Sequence, residues 1–248
     1  MSVSREKMPK LPPVDFRWRW IIAIVITTLI IAAVLITTYY PQLPDPMPVH
    51  WNAAGEADNW EAKSLRTFVS LIFLGPAIIV LTLIGGQALI RMQSAHITDP
   101  GGAQTANEAQ RTWWGLDSTM KHLGWYMFLI NLAVLGLLLD SYRPTQSNWG
   151  IVITLLVLLL ATAAFIWVIV KDMKEIEQKY PKTESERGKT WGIFYNDPED
   201  KRVLVETSPM GGHFTFNIGR TAGKIWAIIL FGVPVALLLG LLVTLVVS

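Results

Sequence analysis

The side chains best suited to chemistry or recognition fall in one short stretch, His50-Trp51-Asn52 and Asp58-Asn59-Trp60, with Gly55 between them. A histidine near an aspartate offers acid/base chemistry or a pair of metal ligands. Zinc, however, takes three or four protein ligands, and one histidine with nearby carboxylates falls short unless others arrive from elsewhere. Glu56, Asp58 and Glu61 show no burial or partner that would separate their pKa values, so no acid/base pair is expected of them. The reading that remains is recognition: His50, Trp51, Asn52, Gly55, Asp58 and Trp60 form a polar cluster flanked by aromatic rings that binds a ligand, a peptide or a partner. The alternative is a lid, in which the two tryptophans lie in a membrane interface while His50 and Asn52 satisfy backbone groups. No catalytic residue, metal or cofactor is expected.

The elements around this cluster must be rigid for it to recognise anything. Pro41, Pro44, Pro46 and Pro48 fix φ and disfavour both helix and central strand, so a stiff extended segment is expected. Asn52 and Gly55 suit a turn, and Asp58 is placed to cap a short helix through Trp60 toward Lys63.

Composition then sets the solvent. The chain has 248 residues, 52% hydrophobic and only 16% charged, which is too little polar surface to cover a soluble fold of this size. With no cysteine it has no disulfide framework and no thiol nucleophile. Five apolar stretches, roughly 20–40, 67–90, 122–139, 150–170 and 225–247, are long enough to cross a bilayer. The third begins at Lys121-His122 and ends at Asp140, which makes it the least regular. The expected class is an all-α polytopic membrane protein of about five transmembrane helices. The spans carry threonine, serine, Gln87 and Asn131 but no charge near mid-span, which argues against an autonomous ion-coupled transporter.

Lysine and arginine give the direction. Eighteen fall in the N-terminal segment, the 91–121 loop and the 171–224 segment, against three (Lys63, Arg66 and Arg143) in the other two loops. By the positive-inside rule the N-terminus is cytoplasmic and the C-terminus outside. The expected organisation is then a cytoplasmic 1–19, helices 1 and 2 with the outer His50 loop over 20–90, a cytoplasmic loop at 91–121, helices 3 and 4 over 122–170, a cytoplasmic 171–224 and helix 5 at 225–248. His96, His122 and His213 are on the inner side and cannot complete a metal site at His50.

Within the cytoplasmic part, 171–180 keeps helical spacing and extends the fourth span, and 181–189 is a polar linker. Strand-like runs follow at 191–195, 202–206 and 213–217, separated by turns, which predicts a small three-stranded meander. Tyr195, Asn196, Asp197, Gly211, Gly212 and Asn217 are its candidate docking residues. In the 92–120 loop, Asp99-Pro100-Gly101-Gly102 reads as a turn before a separate surface helix ending near Trp113-Trp114.

Tyr40-Pro41, Leu43-Pro44, Pro48, His50, Asn52, Gly55, Asp58 and Lys63 together resemble the bacterial family called domain of unknown function 1648, which also occurs in the SdpI group of membrane immunity and signalling proteins. Gly192, Tyr195-Asn196, Asp197-Pro198, Asp200, Gly211-Gly212 and Asn217-Ile218-Gly219 resemble a second module, domain of unknown function 5808. The resemblance implies a multi-pass protein of a bacterial plasma membrane. In the SdpI group the membrane protein resists a secreted peptide toxin and sequesters a repressor, which is an analogy for function and not a derivation of it.

The leading expectation is therefore a non-enzymatic protein that senses or resists an extracellular peptide or envelope stress and engages a cytoplasmic regulator. The alternative is an accessory subunit of a larger transport or cell-envelope complex, and a membrane enzyme using His50 and Asp58 ranks last. The bilayer is a partner in every case, and no nucleic acid is expected.

Overall fold

In a computed structural model, the described residues are 8–52, 55–99, 103, 105–143, 149–182, 190–191, 194–206 and 214–229. Four helices there are long and apolar enough to cross a membrane. The first, α1, runs Trp18–Val34 and continues through a π-helical turn at Leu35–Tyr39 and a 3-10 turn at Tyr40–Gln42. A hairpin of β1 (Met47–Trp51) and β2 (Ala57–Glu61) follows. Then come α2 (Leu65–Ala95), α3 (Ala106–Ser141) and α4 (Trp149–Lys179). Short strands β3 (Thr190–Trp191), β4 (Phe194–Tyr195), β5 (Leu204–Glu206) and β6 (Phe214–Phe216) precede α5 (Thr221–Ala227). The chain is a multi-pass membrane protein by these four helices. The fifth expected span, 225–247, falls mostly outside the described residues.

Three expectations change. The surface helix before Trp113-Trp114 is not separate: α3 starts at Ala106 and runs unbroken for 36 residues. Thr105 Oγ1 accepts the Glu108 N–H at 3.1 Å to start it, and the sequence to Lys121 has no proline. At ~1.5 Å per residue this helix is about 54 Å long, well beyond a hydrocarbon core of ~30 Å, so apolar length alone did not reveal its start. α4 likewise continues to Lys179, as the spacing of 171–180 predicts.

The helix expected after Asp58 is a strand. The turn at 52–56 reverses the chain so that 57–61 pairs antiparallel with 47–51, matching Met47 with Glu61, Pro48 with Trp60, His50 with Asn59 and Trp51 with Ala57, with irregular register around His50. Pro46 and Pro48 do not prevent this. Pro48 sits within β1 of a two-stranded sheet, where a missing N–H is tolerated at an edge.

Among the described residues the strands of the expected meander pair antiparallel as β3 with β4 and β5 with β6, and no continuous three-stranded order is seen. The run read as one strand over 191–195 takes in Trp191 of β3 and all of β4. A parallel bridge between Tyr195 and Asn217 links β4 to the residue after β6.

The chain divides into two compact units. One holds Arg17–Gln87 and Lys121–Ile166. Its interior has one cluster of Ile21, Ile24, Ile79 and Leu83 and another of Ala32, Leu35, Met47, Phe68, Ile72 and Tyr142. Polar spans are handled locally: Thr27, Ser70 and Thr162 return their hydroxyls to carbonyls of their own helices at 2.7–3.1 Å. Asn131, fully buried, reaches Thr28 at 3.4 Å, and Gly75 lets Val134 approach to 3.0 Å from where a Cβ would stand. The outward faces, including Ile22, Leu29, Leu74, Leu81 and Leu160, are apolar as a lipid environment requires.

Among the described residues the other unit holds 8–16, 88–120 and those of 167–229. Pro12 and Val14, shortly before α1, are strapped down. Trp113 Nε1 donates to the Pro12 carbonyl at 2.6 Å, Val14 is buried with its N–H on Ser94 Oγ, and Arg91 donates to the Val14 carbonyl. Arg111 donates to the carbonyls of Tyr180 and Pro181, both at 3.0 Å, which closes the C-terminal end of α4. The Trp113-Trp114 pair therefore has a structural task besides any interfacial one.

Candidate functional site

The hairpin begins where the π-helical turn carries α1 into Tyr40-Pro41-Gln42. Lys63, at its far end, donates its Nζ to the carbonyls of Leu43 at 2.7 Å and Pro41 at 3.2 Å, and lies 5.3 Å from the centre of the Tyr40 ring. Its backbone N–H bonds Asp45 Oδ1 at 2.9 Å, and the Asp45–Pro46 peptide is cis. One lysine thus ties both ends of the hairpin together through charge-assisted bonds.

The base of the hairpin is packed. Met47 is wholly buried, and Tyr142, next after α3, donates its hydroxyl to the Pro48 carbonyl at 3.3 Å. The Tyr142 ring meets Trp51 and Phe68 edge-on at 5.1 and 5.0 Å, and Phe68 in turn meets Tyr40 at 5.2 Å. Burial pushes the Tyr142 phenol up to about 12, so it stays a donor across ordinary pH.

At the tip, Asn52 makes the turn. Its Oδ1 accepts the Glu56 N–H at 3.0 Å, its Nδ2 donates to Glu56 Oε2 at 3.1 Å, its N–H donates to the Glu56 carbonyl, and its own carbonyl accepts from Gly55. Gly55 has φ of 82°, the left-handed region that glycine enters without a Cβ clash. Gly55→Ala is expected to cost the hairpin about 1 kcal/mol and to raise amide exchange at 57–61 in the full-length protein. An exchange profile equal to wild type would contradict that role.

His50 and Asp58 meet across the strands, Nδ1 to Oδ1 at 2.5 Å, with side chains 65% and 43% exposed. Pairs this open contribute little to stability. Among the described residues no third histidine, aspartate or glutamate joins them in a group able to hold a metal ion.

The six expected site residues therefore have different tasks. His50, Asp58 and Trp60 face outward, Trp60 being about half exposed, and β2 from Asp58 to Glu61 is exposed along its length. Asn52 and Gly55 build the turn, while Trp51 packs on Tyr142 with its indole N–H buried and lacking an acceptor among the described residues. Lys63 and Tyr142 are the residues that sequence reasoning passed over as site builders. Lys63 stands in the family motif; Tyr142 is 94 positions from its bonding partner and gives no local signal.

The second expected cluster is built inward. Asn217 is fully buried; its Nδ2 donates to the carbonyls of Asp197 (2.7 Å), Asp200 (3.0 Å) and Arg202 (3.2 Å), and its Oδ1 accepts from the N–H groups of Asp197 and Gly219. The Tyr195 hydroxyl donates to Asp197 and Asp200, both at 3.2 Å. Arg202 grips Asp200 through Nε and Nη2. Tyr195, Asp197 and Asn217 are thus framework residues, and Asn196 alone of this group is exposed. Gly211 and Gly212 lie outside the described residues.

No curated protein and no solved structure matches the chain. Residues 27–80, from mid-α1 through the hairpin into α2, match the family described as Domain of unknown function (DUF1648). That segment, which contains the lysine clamp, the Asn52-Gly55 turn and the His50–Asp58 pair, is the part of the chain that is similar to this family.

Proposed function

We propose that this chain is a non-enzymatic, five-span protein of a bacterial plasma membrane whose hairpin receives an extracellular peptide and whose 190–229 module engages a cytoplasmic partner. The observation that carries this reading is the form of the hairpin. Its β1 side is anchored by Met47, Trp51 and Tyr142, while β2 presents Asp58, Asn59, Trp60 and Glu61 on the free edge of a two-stranded sheet. A free edge beside an exposed aromatic ring is the arrangement by which extended peptides add as a further strand. The lysine and arginine asymmetry supports a cytoplasmic N-terminus and an outer hairpin, and the likeness to the SdpI group and to domain of unknown function 5808 supports the bacterial setting by analogy.

A second reading, an accessory subunit, is favoured by one observation. Ile153, Leu156, Leu160 and Trp167 are exposed at helical spacing on α4, a stripe that another membrane helix can cover.

A photo-crosslinking amino acid placed at position 60, and separately at 81, in the full-length chain in its native membrane tests the choice. The expected result is a cross-link to a small peptide at 60, dependent on conditioned medium, and none at 81. A fixed multi-subunit complex recovered regardless of medium, and unchanged by Trp60→Ala or by deletion of 190–229, selects the accessory-subunit reading instead. A reporter fused after Ser248 that is active only in the cytoplasm contradicts the five-span orientation.

A further inference from the structure

We infer that the segment received by the hairpin is cationic and lies extended along β2; this rests on the peptide-receiving reading above and adds the charge that the peptide must carry. Over 45–63 four carboxylates, Asp45, Glu56, Asp58 and Glu61, stand against one lysine. Their partners sort them. Asp45 accepts the Lys63 N–H, and Glu56 is held by Asn52 at the turn. Asp58 gives one oxygen to His50, and its other oxygen has no partner among the described residues. The Glu61 carboxylate has none at all among them. The lysine does not neutralise these two, because the Lys63 Nζ is engaged by the carbonyls of Pro41 and Leu43.

The two open carboxylates stand on a strand that is itself open. Asp58 to Glu61 are exposed at four successive positions, so neither face of β2 is covered, and β1 pairs with only one of its edges. Asp58 has no residue opposite it in β1, which leaves Asn59–Glu61 as the regular part of the free edge. Trp60, between the carboxylates in sequence, is 48% exposed. A lysine or arginine can lie on such a ring while its charge meets a carboxylate, and an added strand presents a side chain to one face at every second position. Lys63 and Tyr142 hold the hairpin before anything binds, so little ordering cost remains.

A second copy of the chain fits this edge poorly. Pairing β2 with itself gathers two Asp58 and two Glu61 with no lysine or arginine on either strand, and like charges across a sheet destabilise it. The same charges that reject a copy attract a basic strand, which makes charge complementarity the selecting feature.

The test uses the full-length protein in phosphatidylcholine nanodiscs and fluorescent decapeptides in which valine alternates with lysine, threonine or glutamate, with affinity read by anisotropy. The lysine peptide is expected to bind at least about tenfold more tightly than the threonine peptide and to weaken as salt rises, while the glutamate peptide does not bind. Glu61→Lys is expected to weaken the lysine peptide about tenfold and to let the glutamate peptide bind, a gain that a misfolded hairpin cannot produce. Methylating the backbone nitrogens of the lysine peptide is expected to abolish binding, since strand addition uses those N–H groups. Undiminished binding of the methylated peptide overturns the extended pose. Equal affinity for the three peptides, affinities unmoved by Glu61→Lys, or no binding of any of them overturns the cationic class. If the medium-dependent cross-link at position 60 still forms in that case, the hairpin receives a peptide and only its charge was misassigned; absence of that cross-link in the otherwise wild-type chain overturns the reading beneath.

Discussion

Asn217→Ala is expected to unfold the 194–229 module while leaving α1 through α4 in place. The side chain donates three hydrogen bonds and accepts two, all to backbone groups of a loop with little apolar burial of its own. Removing it strands the carbonyls of Asp197, Asp200 and Arg202 and two N–H groups in a part-buried site. The expected loss is ~3–5 kcal/mol, since unmet buried polar groups cost more than the bonds they made. Asn196→Ala, one residue from the bridge at Tyr195 but exposed, is expected to change stability by less than about 0.5 kcal/mol. Hydrogen exchange of the full-length protein measures both: protection over 194–206 and 214–220 should vanish in Asn217→Ala alone. Retained protection there would show that the module is held by something other than this asparagine.

The same module has a defined pH window. The Arg202 guanidinium beside Asp200 holds that carboxyl well below the usual carboxylate range, so its contribution is present above about pH 4 and fades as pH falls further. Burial, aided by hydrogen bonds and charge from Asp197 and Asp200, pushes the Tyr195 phenol up to about 12. That contribution is full below about pH 10 and is lost as pH rises through the folded value. Between these limits the Tyr195–Asp200–Arg202 chain is intact.

Which features were legible in the sequence follows from the range of the interactions behind them. Apolar runs announce spans because a bilayer demands them locally, and the first, second and fourth helices start within two residues of their expected positions. The start of α3 was hidden because the polar 106–121 stretch is equally good as a surface helix, and only its continuity with the span distinguishes them. Asp58 was misread because an acidic residue before a short run fits an N-cap as well as a strand. Its partner His50 decides the matter from across a turn. Asn217 and Tyr195 were legible as important but not as framework, since a motif marks residues that matter without separating those that bind a partner from those that hold a loop.

The largest effect on the hairpin is expected from a residue outside the family match. Tyr142→Ala removes a ring that contacts Trp51 and Phe68 and a hydroxyl that holds the Pro48 carbonyl. An aromatic-to-alanine truncation in a packed site costs ~3–5 kcal/mol, and an isolated two-stranded hairpin has no such reserve. The hairpin should therefore detach, seen as loss of amide protection over 47–51 and 57–61 with α2 protection retained. Tyr142→Phe keeps the ring and should cost only about 1 kcal/mol, the worth of one hydrogen bond. The pair also separates recognition from mere capping. If β2 acts as a peptide-receiving edge, the medium-dependent cross-link at position 60 should survive in Tyr142→Phe and disappear in Tyr142→Ala, because an unanchored edge must first be ordered before it can bind. A cross-link of equal yield in both variants would mean that the anchoring has no bearing on what the hairpin binds.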